Sequence, residues 1–238
     1  MSDLMPRTIS GLGLLIVLAM FFYSGYLPTL TALNIISIFV FLEVCRVSFG
    51  GHYVYNPFKI LIPNSILLAL FVYSYLTFSQ YQVLPILVAL TMFSVSMADV
   101  AAYFTGRFFG KSLGEKLFGD KYLLAPKTSP KKTKVGAIGG LLFGAISFAA
   151  GLIILFEINY VIASLIGFVC IAVSIAGDLL ESKAKRSVGE KDSGSRFTRA
   201  LLKGHGGFWD RFDSHIPALI VALSACDLLV LNLAILID

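Results

Sequence analysis

Charge is scarce in this chain. Of its 238 residues only 14% are Asp, Glu, Lys or Arg, against about a quarter in a soluble domain. Hydrophobic residues make up 57%, and the 21 glycines raise the apolar share to about 66%, against roughly 45–50% on the same count in soluble proteins. Fourteen acids and 19 bases cannot give a body of this length a water-soluble surface, so an ordinary soluble globule is excluded and the apolar excess needs lipid around it. Cysteine is scarce too. Cys45, Cys170 and Cys226 are scattered through apolar stretches without ligand spacing, which argues against zinc sites and bridges and for packing inside helices. There is no low-complexity tract and no repeat at a solenoid period.

The formal charge of +5 would suggest a polyanion such as nucleic acid if the bases formed a continuous face. Their placement excludes that partner. Eight of the 19 lie between Arg107 and Lys134, eight between Lys183 and Arg211, and only Arg7, Arg46 and Lys59 fall outside. Two basic loops interrupt an apolar chain.

Apolar windows of about 17–25 residues span a bilayer as helices. Such windows lie near 8–27, 29–45, 60–78, 83–104, 135–155, 159–180 and 214–237, which predicts an all-α integral membrane protein of about seven transmembrane helices with two basic cytoplasmic loops. The first window follows Arg7 but ends without a small-x-small cleavage pattern, so it reads as a retained helix. Lys and Arg accumulate on the cytoplasmic side of short connections. With the N-terminus inside, every base falls on that side, and the connections near Pro28, Ser79–Gln82 and Glu157–Asn159 carry none. A six-span arrangement, with 8–45 as one re-entrant or tilted element, keeps the two large loops together but loses the agreement at the N-terminus. The expected location is a prokaryotic inner or cell membrane, with the chemistry facing the cytoplasm.

Ionisable groups in bilayer helices face a bundle interior, a cavity or the headgroup level. Asp99 lies inside the fourth apolar segment, Asp178 near the cytoplasmic end of the sixth, and Asp213 at the start of the seventh, with Asp210 one turn earlier. Asp178, Ser182 and Lys185 share a helical face, as do Asp210 and Asp213 if their helix begins early. Carboxylates at an inner membrane surface suit Mg²⁺, which prefers hard oxygen ligands, and surrounding cations suit the phosphates of a nucleotide. Asp178 and Asp210 read as metal ligands, against the plainer reading of helix-end acids paired with Lys or Arg. Asp213 reads as a further ligand, as an orienter of Arg211 or as a helix cap.

Gly204-His205-Gly206-Gly207 can bring backbone N–H groups close to anionic oxygens, or can be a plain turn in which His205 is merely hydrogen-bonded. Its position, after a basic stretch and just before Trp209-Asp210-Arg211-Phe212-Asp213, favours the first. The run Pro126 to Lys134 reads either as a positive-inside anchor on anionic headgroups or as a rigid phosphate loop, with Ser129, Lys131, Lys132 and Thr133 around phosphate. Gly106-Arg107-Phe108-Phe109-Gly110-Lys111 matches no Walker loop and follows no soluble strand.

Taken together these residues resemble the integral-membrane phosphatidate cytidylyltransferases, or CDP-diacylglycerol synthases. The resemblance is carried by Gly177-Asp178, Glu181, Ser182, Lys185-Arg186, Lys191-Asp192, Gly204-His205-Gly206-Gly207 and Asp210-Arg211-Phe212-Asp213. Upstream it includes Asp99, Ala102-Tyr103, Gly106-Arg107, Phe109-Gly110-Lys111 and Ser129-Pro130-Lys131-Lys132-Thr133. It divides the chain into membrane helices at 1–94, where resemblance is weak, and a catalytic membrane domain at 95–238. What it implies is transfer of CMP from CTP to phosphatidic acid, with release of pyrophosphate. The implied catalytic set is Asp178, Lys185, Arg186, Lys191, Asp192, His205, Asp210, Arg211 and Asp213. The implied substrate-binding set is Asp99, Tyr103, Arg107, Lys111, Ser129, Lys131, Lys132, Thr133, Ser182, Gly204, Gly206 and Gly207. Asp178, Asp210 and Asp213 would hold Mg²⁺, with a second cation open; partners would be CTP, phosphatidic acid or a related lipid phosphate, membrane lipids and a second copy of the chain as a homodimer.

Three departures from the family pattern stand out. Lys203 replaces a usual Pro, and Ser195 to Lys203 is a longer stretch than usual. Lys134 and Val135 stand where an aromatic residue and a Glu are usual, and the chain looks short of N-terminal spans. The long 195–203 loop keeps open a cytidylyltransferase for another lipid phosphate, polyprenyl or ether-linked. A transporter would account for the helices and Asp99 but not for the clustered bases, glycines and acid pairs.

Overall fold

The computed structural model describes residues 23, 25–50, 56–195, 198 and 207–235, with side chains described as far as 229. The elements are α1 (Tyr26–Gly50), α2 (Phe58–Phe78), α3 (Leu84–Phe109), a short α4 (Ser112–Phe118), β1 (Leu123–Ala125), β2 (Ser129–Thr133), α5 (Lys134–Phe156), α6 (Tyr160–Ser187), the one-turn α7 (Trp209–Phe212) and α8 (His215–Ile235). Among the described residues α1, α2, α3, α5 and α6 are long and apolar enough to cross a membrane, and α8 is a further apolar helix. These six correspond to the expected windows from 29–45 onward. Most of the expected first window, 8–27, lies outside the described residues, and the count of seven goes beyond what is seen.

Apolar runs become helices here because a bilayer leaves the backbone no other donor or acceptor. Their ends are set by local chemistry. Thr133 Oγ1 accepts from Gly136 N at 3.1 Å to open α5, and Asn159 Oδ1 accepts from Val161 N at 2.9 Å to open α6. Glu157 closes α5 in the left-handed region, at φ 55°, and the chain turns back at once.

The tightest packing joins α3 to α5. Gly136, Gly140 and Gly144, spaced four apart on α5, meet Ala98, Ala102 and Gly106, spaced four apart on α3. A Cβ on Gly140 would lie 2.8 Å from Ala98 O, and one on Gly136 would lie 2.8 Å from Ala102 O, so the two backbones nearly touch. Small residues at this spacing let membrane helices pack by dispersion where lipid removes the hydrophobic drive. Below this seam the core is filled by Phe71, Tyr75, Phe78, Leu87, Phe148, Leu152, Leu219 and Leu223, while Phe143, Ile146, Ile154 and Leu165 point outward as a lipid-facing surface does.

One feature departs from the all-α expectation. The first basic loop is an antiparallel hairpin, pairing Leu123 with Thr133 and Ala125 with Ser129, with an irregularity between them. Pro130 lacks an N–H, and a two-stranded edge tolerates that. A hairpin this small needs a support to pack on, and it is continuous with α5 through Thr133, with Lys134 N donating to Tyr122 O at 2.9 Å.

Candidate active site

The last turns of α6 carry Asp178, Glu181, Ser182 and Lys185, whose spacing places them on one face. Asp178 is ion-paired with Lys132 from β2. Successive strand residues point to opposite sides, so half-buried Lys132 turns inward while Lys131 stays exposed. Burial pulls the Lys132 ammonium below its usual range, against the opposing pull of Asp213, Asp99 and Glu181.

Lys185 is the hub. Its Nζ lies 2.6 Å from Glu181 Oε1 and 2.5 Å from Asp210 Oδ1, and all three side chains are largely buried. Asp210 is further held by backbone donors, with Ser193 N at 3.2 and 3.1 Å from its two oxygens and Gly207 N at 2.7 Å. Burial raises its pKa, but hydrogen bonding with Glu181, Lys185 and Gly207 outweighs that and holds it well below the usual carboxylate range. Asp213 sits in the link between α7 and α8 and accepts from Ser214 N at 2.7 Å. Burial pushes it up to about 6, while Lys185 and Lys132 pull the other way. Asp99, from the middle of α3, lies within electrostatic reach of Lys132 and Asp213.

Asp99, Lys132, Asp178, Lys185, Asp210 and Asp213 are thus drawn from α3, β2, α6 and the α7 region into one cluster. Gly207 gives its N–H to the chain's own Asp210 carboxylate. Asp192 turns its own loop, accepting from Gly194 N at 2.7 Å, and its charge reaches Arg211. Ser182 is half-buried, while Arg186 is exposed and donates to Glu190 O at 3.4 Å. Lys191 and Lys111 are exposed. Arg107 donates to the Tyr103 hydroxyl at 2.5 Å on the outer face of α3, and Thr133 is engaged as the α5 cap. Ser129 is half-buried in the hairpin. Gly204, His205, Gly206 and the 196–203 stretch lie outside the described residues, apart from Thr198.

Sequence reasoning missed Glu43 and Arg46. Glu43, on α1, is buried, and its Oε2 accepts from Ser193 Oγ at 2.8 Å and from Trp209 N at 2.9 Å. Arg46 donates to Ser193 O at 2.8 Å. A signal was present, because Glu43 is the only acid between Asp3 and Asp99.

Among the described residues no three His, Cys, Asp or Glu side chains gather closely enough for one coordination sphere. The acids are instead interleaved with Lys132 and Lys185. Carboxylate oxygens are the donor type Mg²⁺ prefers, but here Asp178 is engaged by Lys132 and Asp210 by Lys185.

Beside the cluster runs a crevice of about 610 Å³ between α1, α2, α6 and α8. Its walls are apolar, with Val40, Val44, Leu67, Val173 and Ile220 among them, and its lining also includes Glu181, Asp213, Lys59 and Lys183. One space therefore touches apolar side chains, two lysines and two of the clustered acids.

Comparison with known proteins agrees with the motifs. The family model described as "Cytidylyltransferase family" matches residues 5–229, reaching far upstream of the stretch where motifs are readable. The phosphatidate cytidylyltransferase of Aquifex aeolicus is 39% identical over 123 residues, covering 52% of this chain and 40% of the relative. Those of Haemophilus influenzae and Mycobacterium leprae are 40% and 34% identical, covering 49% and 58% of this chain and 37% and 39% of theirs. The chain thus spans about two fifths of the length of these relatives. A model match over nearly the whole chain, together with the acids and lysines gathered at one end of a helical bundle, establishes that this chain belongs to the cytidylyltransferase family.

Proposed function

We propose that the protein transfers CMP from CTP to phosphatidic acid at the cytoplasmic face of a bacterial inner or cell membrane. The observation that carries this reading is the crevice, apolar along its walls and lined by Glu181 and Asp213 at the polar cluster. A lipid phosphate has that same division, with acyl chains that stay among apolar groups and an anionic head that meets Lys59 and Lys183. Family membership and the names of the relatives support the same chemistry.

In the reaction a phosphatidate oxygen forms a bond to the α-phosphorus of CTP while the bond from that phosphorus to the pyrophosphate oxygen breaks. The attacking oxygen is already anionic, so no side chain has to remove a proton. The residues' work is positioning and charge. Lys132 and Lys185 offset charge on the five-coordinate transition state and the departing pyrophosphate. Exposed Lys131, Arg186, Lys191 and Arg211 draw the nucleotide from water, and Gly204 and Gly206 are assigned to its phosphates, the Gly207 N–H being engaged by Asp210. Asp178, Asp210 and Asp213 would hold Mg²⁺, and it would supply positive charge to offset that of the nucleotide phosphates. A homodimer and a second cation belong to the same proposal.

The test is turnover of labelled CTP by the purified protein against a panel of lipid phosphates, measuring pyrophosphate and CDP-lipid together. Phosphatidic acid should give both in equal amounts, and Asp178→Asn or Asp210→Asn should remove most of it while the protein stays extractable. Failure of every lipid to yield a CDP-lipid would end the proposal. A preference for polyprenyl or ether-linked phosphate would keep the chemistry and change the substrate, the reading for which the 195–203 loop speaks.

A further inference from the structure

Glu43 belongs to the half of the chain in which no motif is readable, yet it is buried to 2% exposure against the polar cluster. Its two donors, Ser193 Oγ and Trp209 N, come from the two segments that grip Asp210. Ser193 gives Asp210 its backbone N–H and gives Glu43 its hydroxyl. Gly207 gives Asp210 its N–H, and a Cβ at that position would lie 2.6 Å from Glu43 Cδ, so this backbone passes directly over the Glu43 carboxylate. One turn along α1, Arg46 holds Ser193 O at 2.8 Å and reaches Glu190 at 3.9 Å. Both backbone donors to Asp210 are therefore fixed from behind by α1.

Packing alone does not call for a carboxylate at this place, because a well-fitted apolar side chain usually serves a buried contact as well or better. Among the described residues the other oxygen of Glu43 is buried without a hydrogen-bond partner, which adds to the desolvation the carboxylate carries. What a carboxylate supplies and an apolar group does not is acceptance of two directed bonds, one from each gripping segment. We infer that Glu43 is a positioning residue for Asp210, acting through Ser193 and the 207–209 backbone, so that α1 is a working part of the phosphate site. The catalytic side of this inference rests on the proposed CMP transfer; the structural side does not.

Trp209 is the only tryptophan in the chain and is buried, so its fluorescence reports on this segment without any turnover. The experiment compares the full chain in lipid nanodiscs as wild type, Glu43→Gln, Glu43→Leu, Asp210→Asn and the Glu43→Leu/Asp210→Asn pair. Leu fills the space and accepts nothing, while Gln can place its amide oxygen where Oε2 lies and accept from both Ser193 Oγ and Trp209 N. Glu43→Leu should shift Trp209 emission to the red, increase its quenching by acrylamide, and lower kcat about 10–100-fold with a smaller change in KM for CTP. Glu43→Gln should recover most of both. The double variant should be no slower than Asp210→Asn, as expected of residues acting in one chain of contacts. Wild-type emission and kcat in Glu43→Leu would overturn the inference, and so would losses that multiply in the double variant. If wild type turns over no lipid phosphate, the proposed reaction fails on its own, and Trp209 emission still decides whether Glu43 holds the segment.

Discussion

Lys132 and Lys185 make the same kind of bond at different depths, and the difference decides what each loss does. The Lys132–Asp178 side chains are 37% and 27% exposed, whereas Lys185 is 11% exposed between Glu181 at 3% and Asp210 at 13%. Removing the cation from a buried pair leaves uncompensated charge, at about 3–5 kcal/mol, whereas a half-exposed pair contributes about 0–1 kcal/mol. Lys185→Met should therefore lower the melting temperature in detergent sharply. Lys132→Met should melt near wild type yet lose most CTP turnover, and equal melting losses in the two would count against this ordering. Asp178, Lys185, Asp210 and Asp213 were legible in the sequence because helical spacing and neighbouring motifs mark them. Glu43 stands out only as a lone acid in an apolar run, and nothing local announces its partners, which lie 150 and 166 residues away.

At the scale of elements, the long helices were legible to within a few residues at most ends, since an apolar run between polar turns has one stable form in lipid. The hairpin was not. Two very short strands containing a proline carry no alternation long enough to recognise, and they form because Thr133 and Tyr122 tie them to the start of α5. The α3–α5 seam was written as glycine and alanine every fourth residue, but a partner face can be assigned only when both helices are seen. Gly140→Leu tests the seam. Its Cβ alone would sit 2.9 Å from Ala102 Cβ, so the helices must part, at about 1–3 kcal/mol and occasionally more. The expected result is a lower melting temperature together with lost turnover, since β2 and its Lys132 ride on α5; an unchanged melting curve would show that the seam is looser than drawn.

For the whole molecule, the one-sided distribution of bases makes a topological prediction. Single cysteines placed at 128 and 200 should be labelled from the cytoplasmic side, and those at 80 and 158 from the opposite side, in inside-out and right-side-out vesicles respectively. Mixed labelling at either pair would break the proposed orientation. The overall plan of a bundle of apolar helices follows from the scarcity of charge, and was legible. The crevice was not, because it is a space between α1, α2, α6 and α8 and belongs to no segment of sequence.

The bridge from Glu43 to Trp209 also sets a biosynthetic clock. Its two ends are 166 residues apart, so at ~5–20 residues per second roughly 10–30 s separate their emergence from the ribosome. During that interval Glu43 waits in its helix without Ser193 or the Trp209 N–H, and Lys185 has Glu181 but not Asp210. A nascent chain halted before residue 209 would hold α1, α2, α3, α5 and α6 and still lack Asp210, so the polar cluster closes only once the α7–α8 segment has arrived.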